Sequence, residues 1–453
     1  MARGRSGRLM DALETARDHY VARHATWGAV RRNEPAWLAR MRRDAAARFA
    51  EVGLPHTRLE EWRYTNLTRF ARVPFELGTA SASVSREALE QVSFPVFACS
   101  VYAFVDGAYR PELSAPRALT AGVRVLSLAE LLACEPERVE AELGSLVDPK
   151  LHPFAALNTA FLEDGAVLLI PRGTRLAQPI HVVFASSGAE PDRVRHPRVL
   201  VVAGPESHRE LIVDHVDLAP ARGFTNTVIE VRVERAAELG LMLVQREADQ
   251  TYHISNLGAR VGRDARLSAH TLTLGGALVR NDANVLLAEE GASCRLNGLF
   301  AGDGDQLLDH HTLIDHAMPH GESRQLYKGI LDGGARGVFR GRVIVRPGAQ
   351  RTDAEQSNPN LLLSPKAEVD SKPQLEIYAD DVKCRHGSSI GRLDEDALFY
   401  LRARGLDEGQ ARDMLTRGFA AEVLDALPVP ALGTALATLL ATRMDPAAEG
   451  AGS

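Results

Sequence analysis

From Ala166 to about Arg392, one short β-type run follows another and no long helical pattern interrupts them. The runs include Val167–Ile170, Ile180–Phe184, Val199–Val202, Leu211–Val213, Thr227–Val233, Leu239–Val244 and Leu267–Leu274. Asn284–Leu287, Cys294–Phe300, Gly337–Val345 and Leu375–Tyr378 continue the series, and turns rich in Gly, Asp and Asn separate them. A stretch of this length without helical periodicity predicts an all-β domain.

A weak internal period selects among β architectures. Ala237-Glu-Leu239, Ala265-Arg-Leu267 and Ala292-Ser-Cys294 each open a β run, at spacings of 28 and 27 residues. Spacings of this size match one coil of a β-solenoid, in which each coil stacks its apolar positions on the next. A β-sandwich is the competing arrangement. The next such opening, Ala335-Arg-Gly337, comes 43 residues later, which predicts a His-rich insertion between coils, on a loop.

The flanks read differently. Residues 1–75 are predicted helical, with Met10–His24 and Pro35–Val52 rich in Ala, Arg, Glu and Leu at helical spacing. Eleven Arg against five acids in the first fifty residues read as a solvated helix face in preference to an anion-binding arm. Residues 76–165 are a mixed α/β lead-in, with a strand at Val101–Val105 and short helices at Leu126–Cys134, Pro136–Leu146 and Pro153–Glu163. Residues 166–392 form the solenoid core. Residues 393–453 turn helical again, with Asp407 as an N-cap.

Composition excludes several classes. Apolar residues make up 45% and charged residues 25% of the 453, as in ordinary globular proteins. A formal net charge of -6 gives no footprint for nucleic acid. No run reaches the ~18 apolar residues of a membrane helix, and no signal core opens the chain, so the cytoplasm is the expected address. Cys99, Cys134, Cys294 and Cys384 are widely spaced and form no CxxC pair, so neither a disulfide framework nor a self-contained zinc site is implied.

One ordered set of blocks is far more specific than the rest. It runs Gln325-Leu-Tyr-Lys-Gly-Ile-Leu331, Val338-Phe-Arg-Gly-Arg342, Ala349-Gln-Arg-Thr-Asp-Ala-Glu-Gln356 and Asn360-Leu-Leu-Leu-Ser364. It ends with Ser371-Lys-Pro-Gln-Leu-Glu-Ile377, Ala379-Asp-Asp-Val-Lys-Cys-Arg-His-Gly387 and Leu398-Phe-Tyr-Leu-Arg-Ala-Arg-Gly405. These blocks, with Glu61-Trp-Arg-Tyr-Thr65 near the N-terminus, resemble the SufB/SufD family of the SUF iron–sulfur cluster assembly system. The Cys384-x-His386-Gly387 form and the scarcity of Cys resemble its SufD branch. The resemblance implies a right-handed parallel β-helix between helical ends, and a non-catalytic scaffold. It also implies pairing with a SufB-like paralogue, a SufC-like ATPase docked on the C-terminal helices, and a transient iron–sulfur cluster or iron built between subunits. A homodimer is an option when the partner is absent.

Cys384 and His386 would project to the same face of a strand, ~6–7 Å apart. Thiolate is the preferred iron–sulfur ligand, and imidazole replaces it at some irons. The alternative is a small buried Cys and a capped turn His; the resemblance favours His386, and to a lesser extent Cys384, as ligands. Lys383 and Arg385 would favour the thiolate if they lay close to it. Clusters usually take four protein ligands, so two imply a shared site. A second group, Asp309, His310, His311, Asp315, His316 and His320, offers metal donors but matches no ligand motif; a polar turn or subunit contact weighs more.

There is no GxxxxGK[ST], so an ATP site in this chain is not expected, and no GxSxG or HExxH. The apolar stripe of the C-terminal helices, including Leu415 and Phe419, is expected to cap the open solenoid end and to dock the ATPase. The enzyme alternatives are a β-helix carbohydrate-active enzyme, which would need clustered carboxylates or Ca²⁺, and a metalloenzyme built on His310–His320.

Overall fold

A computed structural model of the chain describes residues 2–29, 34–78, 83–94, 99–117, 122–175 and 178–444. The all-β core is a parallel solenoid of about 8 turns. Its strands alternate between two sheets in chain order. The first sheet takes β1 (Gly165–Ile170), β3 (Arg198–Ala203), β5 (Gly223–Val233), β7 (Tyr252–Val261), β9 (Leu278–Leu287), β11 (Leu307–His316), β13 (Arg336–Val345) and β15 (Glu368–Ile377). The second takes β2 (Ile180–Ser186), β4 (His208–Asp217), β6 (Glu238–Arg246), β8 (Arg266–Thr273), β10 (Ser293–Gly302), β12 (Glu322–Leu331), β14 (Thr352–Leu362) and β16 (Val382–Gly391).

Alternation of side chains along each strand sends every second residue inward, and the parallel register piles these residues into columns. One column runs Val201, Val231, Ala259, Val285, Ile314, Val343 and Leu375 through successive coils. All but Leu375 are buried, and Leu375 packs against the same core. The stacking explains why a sequence with only a faint repeat still builds identical coils: each position needs volume and apolarity, not a fixed residue.

The expected insertion is absent, because His310 and His316 lie on the regular strand β11. Ala237, Ala265 and Ala292 precede strands of the second sheet, whereas Ala335 precedes β13 of the first. The spacing of 43 residues therefore spans a coil and a half. β7, β11, β12, β14 and β16 carry polar residues at alternate or inward positions, which hid them from an apolar-run reading.

The helical flanks are α1 (Ala2–Ala29), α2 (Ala36–Val52), α3 (Pro153–Ala160), α4 (Glu395–Ala403), α5 (Glu408–Leu424) and α6 (Pro430–Arg443). Asp407 caps α5 through a capping box with Gln410. The helix expected over Pro136–Leu146 shrinks to Glu137–Glu140; a glycine at positive φ, Gly144, stops it.

The two solenoid ends are treated differently. At the first coil, Ser100–Val105 pairs with β2 and Arg124–Ser127 pairs antiparallel with β1. At the last coil, among the described residues, β15 and β16 each have a ladder partner on one side only. The C-terminal helices do not cap this end, contrary to expectation. Val423, Leu424, Leu432, Leu436 and Leu440 pack instead on the outer face of the second sheet, against Met242, Leu272, Leu299 and Ile330. Their apolar stripe matches that face, and the last coil is left largely exposed.

Ile314 lies at the middle of its column and is fully buried. Ile314→Ala should cost about 2–5 kcal/mol, read as a lowered urea midpoint; an unchanged midpoint would show that the column does not carry the core.

Candidate functional site

β16 is the terminal strand of the second sheet, and its inward positions continue the columns beneath. Cys384 stacks in register on Ala354 of β14, and His386 stacks on Gln356. The two side chains therefore share a face, as the spacing requires. Cys384 is partly buried and packs against the interior cluster, while His386 is exposed at the rim.

The flanking cations do not prepare a thiolate. Arg385 points to the outer face and pairs with Glu355 at 2.6 Å. Burial pushes the Cys384 thiol above its ordinary range, a backbone hydrogen bond at Ala354 partly offsets this, and the nearby Asp353 carboxylate adds to the rise.

The histidines of the second group are dispersed. His310 faces inward, stacked on Phe300 at 4.9 Å, and burial lowers its pKa to about 4. His316 also faces inward, with Nε2 at 2.9 Å from Ser323 Oγ. His311 faces outward, and His320 is an exposed turn residue with φ of 59°. Strand alternation thus sends neighbours to opposite faces. No group of three His, Cys, Asp or Glu able to hold a metal occurs among the described residues.

Outward-facing His311 belongs to a structural clamp instead. Asp282, His311, Arg340 and Lys372 stand in register on β9, β11, β13 and β15. The three basic members grip Glu60 and Glu61: Lys372 Nζ lies 2.6 Å from Glu60 Oε1, Arg340 Nη1 lies 3.0 Å from Glu61 Oε2, and His311 Nδ1 lies 3.7 Å from the same Glu61 oxygen. Arg280, fully buried, donates to Asp282 and Asp309 and stacks 3.8 Å above the Trp62 ring. Thr65 donates to the same Asp309 carboxylate. The Glu61-Trp-Arg-Tyr-Thr65 block is thereby explained as a strap across the first sheet.

Leu415 and Phe419 are half-buried on α5. Lys328 of β12, itself buried, holds Phe419 in place: its Nζ donates to the Phe419 carbonyl at 3.0 Å, sits 4.6 Å from the ring and pairs with Glu422 at 2.6 Å. The solvent side of α5 and α6 forms an open groove lined by Met414, Arg417, Gly418, Thr434 and Ala437. The sequence carries no sign of this role for Lys328, because its partners Phe419 and Glu422 lie far along the chain.

Sequence comparison agrees with this architecture. Residues 184–419 match the family model described as SUF system FeS cluster assembly, SufBD core domain, and residues 15–182 match the SufBD protein N-terminal region. The chain is 33% identical to an iron–sulfur cluster assembly SufBD family protein of Synechocystis, over 88% of this chain and 89% of that protein. It is 31% identical to the iron–sulfur cluster assembly protein SufD of Escherichia coli, over 83% and 86%. It is 25% identical to SufD of Bacillus subtilis, over 90% and 94%.

Site-resolved alkylation of the free chain at neutral pH should label Cys384, whose thiol pKa burial raises, more slowly than exposed Cys134. Rapid labelling of Cys384 at neutral pH would contradict the burial argument.

Proposed function

Because the chain belongs to the SufBD family of iron–sulfur cluster assembly proteins, we propose that it fills the SufD position in a SufBCD-type complex. In this reading it is a non-catalytic cytoplasmic scaffold that pairs with a SufB-like paralogue along its last coil. A SufC-like ATPase docks on its C-terminal helices.

The observation that carries this reading is the uncovered last coil. β15 and β16, ten residues each, have unpaired edges, and unpaired strand edges are templates for another chain. The last coil and α4 also hold five exposed large apolar side chains: Ile377, Tyr378, Ile390, Phe399 and Tyr400. Exposed apolar groups beside a strand edge are expected where a partner covers them. The same edge, related to itself by a two-fold axis, would support a homodimer when the paralogue is absent.

Cys384 and His386 lie on this edge. Two protein ligands do not complete a cluster, so a partner docked there would supply the rest. The nascent cluster is cargo in this scheme, held briefly between subunits. Binding iron requires Cys384 to lose its proton, and the raised thiol pKa of the free chain works against iron capture until the partner arrives.

The open groove between α5 and α6 suits a docked ATPase; Leu415 and Phe419 lie on α5 outside its lining and would serve docking by holding that helix in place. Phe419 also carries the contact with Lys328, so its substitution tests packing and docking together. Met414, 46% exposed, tests docking alone.

Three outcomes are expected from co-purification with SufB-like and SufC-like subunits followed by anaerobic cluster reconstitution. His386→Ala should assemble the complex and lose most of its cluster; full cluster content in that variant would remove His386 from the site. Ile390→Lys should weaken paralogue binding about tenfold or more, ~1.4 kcal/mol; wild-type affinity would move the interface elsewhere. Met414→Asp should release the ATPase with no change in melting temperature, as should Phe419→Asp with some loss of stability, and retention of the ATPase by Met414→Asp would refute docking at the groove.

A further inference from the structure

The interior column that ends at His386 changes character along its length. Leu211, Leu241, Ala269 and Leu296 occupy it in successive coils, followed by Gln325, Gln356 and His386. Gln325 and Gln356 are 2% and 1% exposed. A buried amide that leaves a polar atom unmatched costs about 1–3 kcal/mol, so packing alone gives no reason for two glutamines where leucine and alanine serve elsewhere.

The two amides are joined head to tail. Gln356 Nε2 donates to Gln325 Oε1 at 2.6 Å, and Gln325 Nε2 donates to Thr312 Oγ1. Room for this chain is built into the opposite sheet: a Cβ on Gly341 would lie 1.9 Å from Gln356 Nε2. The glycine of Val338-Phe-Arg-Gly-Arg342 is thus required by a side chain that crosses the interior. With its nitrogen committed toward Gln325, Gln356 has one polar atom left. That atom, Oε1, is buried and has no hydrogen-bond partner among the described residues, and the next residue in the column is His386.

We propose that Gln356 is the positioning residue of His386, accepting a hydrogen bond from one ring N–H of the imidazole. This rests on the reading of His386 as an iron ligand. A neutral imidazole carries one N–H and one lone pair. An acceptor fixed on one side decides which nitrogen keeps the proton and presents the other to the metal, and metal-binding histidines generally have such a partner. Thr312 and Gln325 make the device directional, since they hold the Gln356 amide with its oxygen free.

The test is made on the full chain with ¹⁵N-labelled histidine, the His386 ring signals being identified by their loss in His386→Ala. Wild type should show one neutral tautomer of His386. Gln356→Met, which keeps length and removes the acceptor, should relax the ring to the tautomer mixture of a free imidazole. Gln325→Met, which removes the anchor and leaves Gln356 in place, should give the same loss as Gln356→Met and covers the case in which that variant does not fold. Affinity for ferrous iron alone, measured anaerobically, should fall about 10–100-fold in Gln356→Met. Unchanged His386 ring signals in the Met variants would overturn the proposal. The ligand reading fails separately: full cluster content in His386→Ala would defeat it whatever the tautomer of the ring.

Discussion

Parallel strand stacking is the constraint on which this molecule rests. Each coil satisfies its backbone groups and buries its apolar residues against the coil before and the coil after. That arrangement cannot end by itself. At the first coil the chain adds Ser100–Val105 and an antiparallel strand at Arg124–Ser127. At the last coil it adds nothing to the ladders, because the C-terminal helices run along the outer face of the second sheet. The open end is therefore a consequence of where an apolar helical stripe finds its match, and it leaves the molecule with an edge that suits a second chain.

The interior prepares for that edge. The first-sheet column through Ile314 stays aliphatic to Leu375, whereas two columns of the second sheet take up polar or sulfur-bearing residues in the later coils. Arg209, Leu239, Leu267, Cys294, Ser323, Ala354 and Cys384 form one, and the column beneath His386 passes through Gln325 and Gln356. Asn358 and Asn360, both buried, hydrogen-bond to each other and to the Tyr327 carbonyl in the same region. A polar interior fixes side-chain geometry at the cost of apolar burial. It is most useful where a small number of donor groups must be held in a set direction, and the last coil is such a place. At the other face, the Glu60–Glu61 strap and the Arg280 cluster tie the N-terminal region to coils distant in sequence, and Lys328 does the same for α5.

Much of this was legible in the sequence. The β runs from Val167 to Phe300, β7 excepted, were visible because their inward positions are largely apolar and much of their outer face is apolar as well. β11, β12, β14 and β16 were not, since the same inward parity there carries His310, Gln325, Gln356 and His386. A method that seeks apolar runs sees polar inward residues as loops, which produced the expected His-rich insertion. The Ala openings gave the coil length correctly until Ala335, which belongs to the other sheet. The shared face of Cys384 and His386 followed from their spacing alone. Burial of the thiol, the Gln325–Gln356 chain and the path of the C-terminal helices all depend on contacts between residues far apart in sequence, and no local pattern encodes them.

Amide hydrogen exchange across β15 and β16 tests the central idea most directly. In the free chain the outward-facing amides of these strands should exchange quickly, and on addition of a SufB-like paralogue they should become strongly protected, together with those around Cys384 and His386. Unchanged exchange along both strands in a complex that has demonstrably formed would mean that the partner binds elsewhere and that the open coil is not the assembly edge.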